Sequence, residues 1–337
     1  MYRGSRTLLT LAASFAGTLV LAVGGASAVA ESESRADTRS TAEEQSTSEG
    51  PETSSFVRAF LYSQVNWAVD PPGANDWDCE PPADRPRPVV LVHGTWENRY
   101  SNFAKMAPEL ERAGYCVFAL DYGDDRGSLI GLHPALKGTG DIAGSARELG
   151  QFVDEVLDAT EASQVDIVGH SQGGMMPRQY LRFEGGADPE NPERNKVRNL
   201  VTLGATHNGT TLSGLATLAE WFGLLEPSEL LLGTAAVHQV RGSDFLEELN
   251  AEGHTEPGVD YTVIATRYDQ VTTPYESTFL EPGPGATVEN ITLQDGCHRD
   301  LSDHLSMSYS PRAIGYVKQA LDPAAGAPPC EFHRPVG

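Results

Sequence analysis

Residues 165–174 read Val-Asp-Ile-Val-Gly-His-Ser-Gln-Gly-Gly, and they carry the strongest structural signal in the chain. Four residues of strand character run into Gly-His-Ser-Gln-Gly, and a helical pattern follows. That order is typical of a nucleophile elbow, a tight strand-to-helix turn that lifts a serine hydroxyl, here that of Ser171, out of the sheet. Gly169 and Gly173 fit this turn because a Cβ at either position would collide with the neighbouring strand or helix. Since the chain has 34 glycines, the spacing alone arises easily by chance, and the flanking strand and helix carry the prediction.

The first 54 residues are expected to lie outside the folded domain. Residues 1–30 have arginines at positions 3 and 6, an apolar run from Leu8 to Val23 and small residues at their end, which is the pattern of a cleaved secretory signal peptide. A membrane anchor is the alternative, but the apolar run is near the lower length limit for spanning a bilayer. Residues 31–54 have almost nothing apolar to bury, which predicts a disordered acidic leader or pro-segment. The protein is therefore expected to be secreted.

Residues 55–337 are long enough for one large domain and show no internal linker. The full chain has 47 acidic and 24 basic residues, a formal net charge of −23 at pH 7. Such a surface repels nucleic acid and anionic membrane faces. The composition thus argues against nucleic acid as a partner.

Short apolar strands alternate with helical segments along this domain. Strands are predicted at 88–92, 115–120, 165–168, 197–203, 261–266 and 288–293, and helices at 103–113, 142–159, after Ser171 and at about 311–321. The first strand is continuously apolar, as in parallel sheets that are buried on both faces. Repeated strand-helix units predict an α/β fold with a mostly parallel sheet and helices on both faces.

A serine hydroxyl becomes a good nucleophile only when a base takes its proton, and the base needs an acid to orient it. On folds with such an elbow, the acid and then the histidine follow the serine along the chain. Asp269 lies just past the predicted strand 261–266, where an active-site acid belongs, whereas Asp260 and Asp244 fit ordinary surface charges. His304 follows the last strand through a loop and is preferred as the base over His298. The alternative for either histidine is an exposed loop residue.

The oxyanion formed by attack on a carbonyl needs preorganised hydrogen-bond donors. One is expected from the backbone N–H of Gln172, the residue after the nucleophile. The other is assigned to the backbone N–H of Thr95, in the loop after the first strand, and its hydroxyl offers a third hydrogen bond. Thr95 and Gln172 are therefore the predicted oxyanion hole.

Residues 208–255 form an insertion between two strands, with leucine and aromatic residues at helical spacing. Two interpretations stay open. The segment is either a helix packed on the core, or an acyl-binding wall or mobile lid that faces an oil interface. The predicted substrate-binding residues are Thr206, Leu212, Leu215 and Trp221.

The four cysteines fit an exported chain, because an even number in an oxidising compartment predicts two disulfides, with three possible pairings. Metal ligation is the competing interpretation. No two cysteines are close enough in sequence for the usual paired-ligand spacing, and acidic pairs such as Asp124 and Asp125 lack a calcium-loop pattern. No metal site is therefore predicted.

Several separate motifs together resemble the exported actinobacterial lipases of the class 2 lipase family, which are α/β-hydrolases similar to the fungal lipase B type. The resemblance covers essentially residues 56–337, and its motifs lie at 71–77, 92–96, 169–174, 203–210, 268–275 and 303–305. It implies the α/β-hydrolase fold, the triad Ser171, Asp269 and His304, and the oxyanion donors Thr95 and Gln172. It also implies the disulfides Cys79–Cys116 and Cys297–Cys330.

The resemblance further implies hydrolysis of carboxylic esters, often of fatty acyl chains, without a cofactor. The predicted function is therefore a triacylglycerol lipase, acting on an ester or lipid at an oil-water interface and expected to be a monomer. A short-chain carboxylesterase or polyester depolymerase would use the same triad, and acyl transfer to an alcohol is a further rival. A non-catalytic binding protein on the same fold would require an idle triad, although all its members are present.

Overall fold

The computed structural model describes residues 48–221 and 229–336, without the side chains of residues 212, 220, 221 and 229. These residues belong to one compact unit. The expected signal peptide, residues 1–30, and residues 31–47 of the expected leader lie outside the described part of the chain. Within the described part, no helix is long and apolar enough to cross a membrane.

Six strands form one sheet, and every neighbouring pair in it is parallel. In chain order the strands are β1 (Val89–Val92), β2 (Val117–Leu120), β3 (Val165–His170), β4 (Val197–Leu203), β5 (Asp260–Ala265) and β6 (Thr287–Thr292). Their order across the sheet is β2-β1-β3-β4-β5-β6, so β3, which leads into Ser171, lies near the middle. All six strands occur within two residues of their predicted bounds.

Helices cover both faces of the sheet. They are α1 (Phe56–Ser63), α2 (Arg99–Phe103), α3 (Met106–Glu111), α4 (Ile142–Thr160), α5 (Gln172–Phe183), α6 (Leu212–Trp221), α7 (Glu229–Leu232), α8 (Thr234–His238), α9 (Asp244–Asn250) and α10 (Pro311–Leu321). One apolar cluster packs α4, α5 and α9 on one face, and a second packs α2, α3 and α10 on the other. The predicted fold class, a parallel α/β sheet with helices on both faces and a helical insertion, is confirmed.

The single helix predicted at 103–113 is wrong, because α2 ends at Phe103 and a separate helix, α3, spans only Met106–Glu111. The first, α2, starts at a capping box in which the side chains of Asn98 and Ser101 bond each other's backbone N–H groups. A continuous helix would need the backbone nitrogen of residue 108 to donate to Ala104, but Pro108 has no N–H. The helix therefore ends after Phe103 and restarts at Met106.

Two disulfides hold loops at the ends of the sheet. Cys79–Cys116 ties the segment before β1 to the start of β2, and Cys297–Cys330 ties the loop after β6 to the C-terminal segment. These are the two pairs that the family resemblance implies. Bridges over 37 and 33 residues each stabilise the fold by roughly 3 to 4 kcal/mol in the chain-entropy model.

Candidate active site

The turn between β3 and α5 places Ser171 in a strained backbone conformation, with φ 55° and ψ −125°. Its neighbours leave no room for side chains. A Cβ on Gly173 would lie 2.2 Å from the carbonyl oxygens of Val92 and His93, and one on Gly169 would lie 1.9 Å from that of Gly173. Glycine is required at both positions because β1 and α5 pack directly against the turn. This is the geometry of the nucleophile elbow that the sequence predicts.

Three side chains from separate loops meet at this turn. The Ser171 Oγ lies 2.9 Å from His304 Nε2, and His304 Nδ1 lies 2.9 Å from Asp269 Oδ2. Relative exposure is 3% for Ser171, 1% for His304 and 9% for Asp269, so the chain of hydrogen bonds is screened from water. Since the carboxylate only accepts, Nδ1 carries the proton and a neutral His304 presents Nε2 to the serine as an acceptor.

Backbone groups fix the acid and the base. Asp269, just past β5, accepts hydrogen bonds at Oδ1 from the backbone N–H groups of Val271 (2.9 Å) and Thr272 (2.7 Å), which leaves Oδ2 for His304. His170 Nε2, on β3, donates to the carbonyl oxygen of His304 at 2.8 Å. His170 therefore holds the backbone of the loop that carries His304 and does not act on the serine.

The pKa of His304 reflects two opposing effects. Burial lowers it, but the charge and hydrogen bond of Asp269, with the charges of Glu97 and Asp303, outweigh burial and raise the pKa above its ordinary value of 6.5. The site thus stabilises an imidazolium, which is what a base needs while it holds a serine proton.

The loop after β1 lies against the nucleophile. Gly94 is so close to Ser171 that a Cβ added to the glycine would be 3.1 Å from the serine Cβ. The loop is held by Gly94 N–H, which donates to Asn102 Oδ1 at 3.0 Å, and by Trp96 N–H, which donates to Lys137 O at 2.8 Å. Between these anchors, the N–H of Thr95 has no acceptor among the described residues, and neither has the N–H of Gln172. Both are the donors that the sequence predicts for an oxyanion.

Gln239 is a site residue that the sequence reasoning missed. Its Nε2 donates to Thr95 Oγ1 (2.8 Å) and lies 3.1 Å from Gln172 Oε1, and its Oε1 accepts from Thr206 Oγ1 (2.9 Å). The Thr95 hydroxyl in turn donates to Gln172 Oε1 at 2.7 Å. No local motif marks Gln239, since it lies in the insertion after α8 and only the fold brings it to residues 67 and 144 positions away.

The predicted substrate-binding residues have different surroundings. Thr206 is buried and bonded to Gln239. Leu215 on α6 is buried in an apolar cluster with Trp96 and with Leu305, the residue after His304. The side chains of Leu212 and Trp221 lie outside the described part of the structure. Contact between substrate and these four residues stays a prediction.

A parallel sheet with helices on both faces and a strained serine at the turn from β3 to α5 defines the α/β-hydrolase class. The model of the class 2 lipase family matches residues 86–279, more than half of the chain. The chain therefore belongs to the class 2 lipase family. The matched range includes Ser171, Asp269 and Gln239 and ends before His304.

Two solved lipases share this fold. Lipase B of Aspergillus fumigatus is 18% identical with a TM-score of 0.56, and the match covers 77% of this chain and 57% of that one. The mature form of the Bacillus licheniformis lipase BlEst2 is 17% identical with a TM-score of 0.50, over 71% of this chain and 94% of that one. The chain thus spans less than two thirds of the fungal enzyme.

Proposed function

We propose that this protein is a secreted triacylglycerol lipase that works through an acyl-enzyme on Ser171. The observation that carries the proposal is the buried hydrogen-bonded chain from Ser171 Oγ through His304 to Asp269, with 2.9 Å at each step. It ends at a strained elbow, the arrangement that activates a serine for acyl transfer.

In the first half of the reaction, Ser171 Oγ attacks the ester carbonyl carbon and His304 Nε2 takes the hydroxyl proton. The Asp269 carboxylate stabilises the resulting imidazolium. The backbone N–H groups of Thr95 and Gln172 hold the oxyanion. The tetrahedral intermediate then breaks the bond to the alcohol oxygen, which receives the proton from His304, and the acyl group stays on Ser171.

Water completes the cycle by the same path. His304 takes a proton from the water as its oxygen attacks the acyl carbon, and the proton returns to Ser171 Oγ as the carboxylic acid leaves. The products are one alcohol and one acid for each ester and water consumed.

An exposed apolar patch beside the site supports a lipid substrate. It comprises Leu129, Leu132 and Leu230, with Leu132 62% and Leu230 68% exposed, and Leu129 N–H donates to Leu230 O at 2.9 Å. Two residues further along α7, the carbonyl of Leu232 accepts from Trp96 Nε1 in the oxyanion loop. Contiguous exposed apolar side chains beside a catalytic loop suit an oil-water interface.

Secretion is supported by the signal-peptide pattern of residues 1–30 and by the two disulfides, because such bonds persist in oxidising compartments.

A series of p-nitrophenyl esters from acetate to palmitate, with a triacylglycerol emulsion alongside, tests the proposal. We expect turnover to peak at long acyl chains, the emulsion to be hydrolysed, and Ser171→Ala to be inactive on all of them. A peak at acetate or butyrate without emulsion hydrolysis would favour a short-chain esterase, and polyester film hydrolysis alone a depolymerase. A folded protein that hydrolyses no ester would contradict the proposal.

A further inference from the structure

A surface pocket of about 840 Å³ lies between α1 and the C-terminal segment, and we call it the α1 pocket. Its lining residues are Ser54, Ser55, Phe56, Val57, Arg58, Lys105, Ser306, Tyr309, Pro311, Phe332, His333, Arg334, Pro335 and Val336. None of Ser171, Asp269 and His304 is among them, so the pocket is separate from the candidate active site. Its volume is that of a small-molecule site, for which the usual range is about 300 to 1,000 Å³.

The charge of the α1 pocket is opposite to that of the chain. Arg58, Lys105 and Arg334 line it, and no acidic residue among the described ones does, although the chain has 47 acidic residues against 24 basic ones. Within the described part of the chain these three cations make no hydrogen bond or ion pair through their side chains, whereas most other arginines and lysines do. Burial lowers the pKa of Lys105, and carboxylates outside the lining, at positions 109, 331 and 52, oppose that effect. An anion is the ligand that such a pocket attracts.

The N-terminus of α1 adds to this attraction. Its N-cap and first turn line the pocket, and the first turn has no acidic residue, so the positive end of the α1 dipole lies at the pocket. The start of α10 also lines the pocket, through Pro311, but its N-cap Ser310 donates a hydrogen bond to the carboxylate of Asp300. The α1 dipole alone therefore adds to the positive charge of the pocket.

Apolar side chains form the rest of the lining. Phe56 and Tyr309 are buried, while Val57 and Phe332 are exposed although both are large and apolar. A small inorganic anion would leave these side chains in water, whereas an anion with an alkyl chain would cover them and gain free energy from the burial. The lining therefore fits an amphiphilic anion.

We infer that the α1 pocket binds a long-chain carboxylate, with the carboxylate among Arg58, Lys105 and Arg334 and the alkyl chain against the apolar side chains. That this ligand is the acid released at Ser171 rests on the proposed function. The pocket would then bind the product of the enzyme at a second site.

Calorimetric titration with laurate below its micelle concentration tests the inference, with wild type compared to Lys105→Gln/Arg334→Gln. Both proteins can bind the acid in the active site, so the difference between their laurate affinities reports binding in the α1 pocket alone. We expect the double variant to lose at least about tenfold in affinity, because it loses two charged hydrogen-bond donors. Arg194→Gln, which removes an exposed charge near β4, should bind laurate as wild type does. Hydrolysis of p-nitrophenyl butyrate and the melting temperature, both expected to be unchanged, show that the double variant is folded.

Titrations with three further ligands test which chemical groups the α1 pocket recognises. Dodecanol has the chain without the charge and acetate the charge without the chain, so neither should show binding that depends on residues 105 and 334. Dodecyl phosphate that binds more tightly than laurate, with the same dependence, would assign the pocket to a phosphate head group and contradict the carboxylate. Equal laurate affinity in wild type and double variant would overturn the inference even if ester hydrolysis is normal. Laurate binding that depends on the two residues, in a protein that hydrolyses no ester, would uphold the site and refute the proposed function instead.

Discussion

Gln239 Nε2 donates a hydrogen bond to Thr95 Oγ1 across 2.8 Å, although 144 residues separate them in the chain. The same amide nitrogen lies 3.1 Å from Gln172 Oε1, which also accepts from the Thr95 hydroxyl. Because Gln172 Oε1 has this second donor, the Thr95 hydroxyl can turn its hydrogen to an oxyanion without leaving the carbonyl of Gln172 unpaired. We therefore propose that Gln239, in the insertion, positions the proposed oxyanion donors Thr95 and Gln172.

The first prediction concerns Gln239→Leu, a change of similar volume that removes all of these hydrogen bonds. Gln172 Oε1 then depends on the Thr95 hydroxyl alone, so we expect kcat to fall roughly ten- to a hundredfold with little change in KM. Thr206→Val is the matched control, because it removes only the bond to Gln239 Oε1 and should cost less than about threefold. Rates are measured per active site titrated with a phosphonate. Equal losses in the two variants would refute this role for Gln239.

The second prediction concerns pH. The proposed mechanism needs neutral His304, whose pKa is raised above 6.5, so kcat should fall as pH drops through a midpoint above 6.5 and should persist into mildly alkaline solution. In Asp269→Asn the opposing charge is gone and burial dominates, so the midpoint should move to lower pH while kcat falls by about 10⁴-fold. A rate that does not vary between about pH 5 and pH 9 would contradict His304 as the base.

The third prediction concerns the elbow glycines. A Cβ at Gly173 would meet two backbone carbonyls at 2.2 Å, which no side-chain movement can relieve, so Gly173→Ala should destabilise the fold by about 3 kcal/mol or more. Gly326→Ala is the control, because nothing lies within 4 Å of its Cβ, and it should stay within about 0.5 kcal/mol of wild type. Urea unfolding measures both. A Gly173→Ala protein as stable as wild type would show that the elbow has a different packing.

The fourth prediction concerns the apolar patch of Leu129, Leu132 and Leu230. Leu132→Asp and Leu230→Asp should lower activity on emulsified triacylglycerol severalfold and leave the rate on a soluble butyrate ester within about twofold, because a charge opposes contact with an oil surface. Leu61→Asp is the control, since Leu61 on α1 is 64% exposed and outside the patch. If both substrates lost activity equally, the patch would be part of the fold and not of an interface.

The sequence predicts the elements whose signal is local. The apolar run before Ser171, the glycines around it and the residues just past each strand locate the elbow, Asp269 and His304, because strand ends of a parallel sheet meet at one edge. Short-range rules fail where distant contacts decide. The sequence pattern does not predict α1, which packs beside Tyr100 and Tyr309. The break between Phe103 and Met106 has a local cause, because Pro108 cannot donate to Ala104.

In the candidate active site, too, local sequence signals locate some residues and only the fold locates others. His304 and His298 look alike in sequence, and only the fold buries His304 against Ser171 while His298 stays exposed. The role of Gln239 depends on how the insertion packs against the loop after β1 and the start of α5, which no residue pattern near Gln239 encodes. A polar side chain that lies neither in a motif nor just past a strand, as Gln239 does, has no sequence signal of its role.

The most direct test of the account is to treat the protein with a long-chain alkyl fluorophosphonate and to locate the modified residue by peptide mass spectrometry. We predict stoichiometric phosphonylation at Ser171, complete loss of ester hydrolysis, and much slower labelling in His304→Ala, in which the serine has no base. Labelling at another residue, or full ester hydrolysis by a protein phosphonylated at Ser171, would contradict Ser171 as the nucleophile.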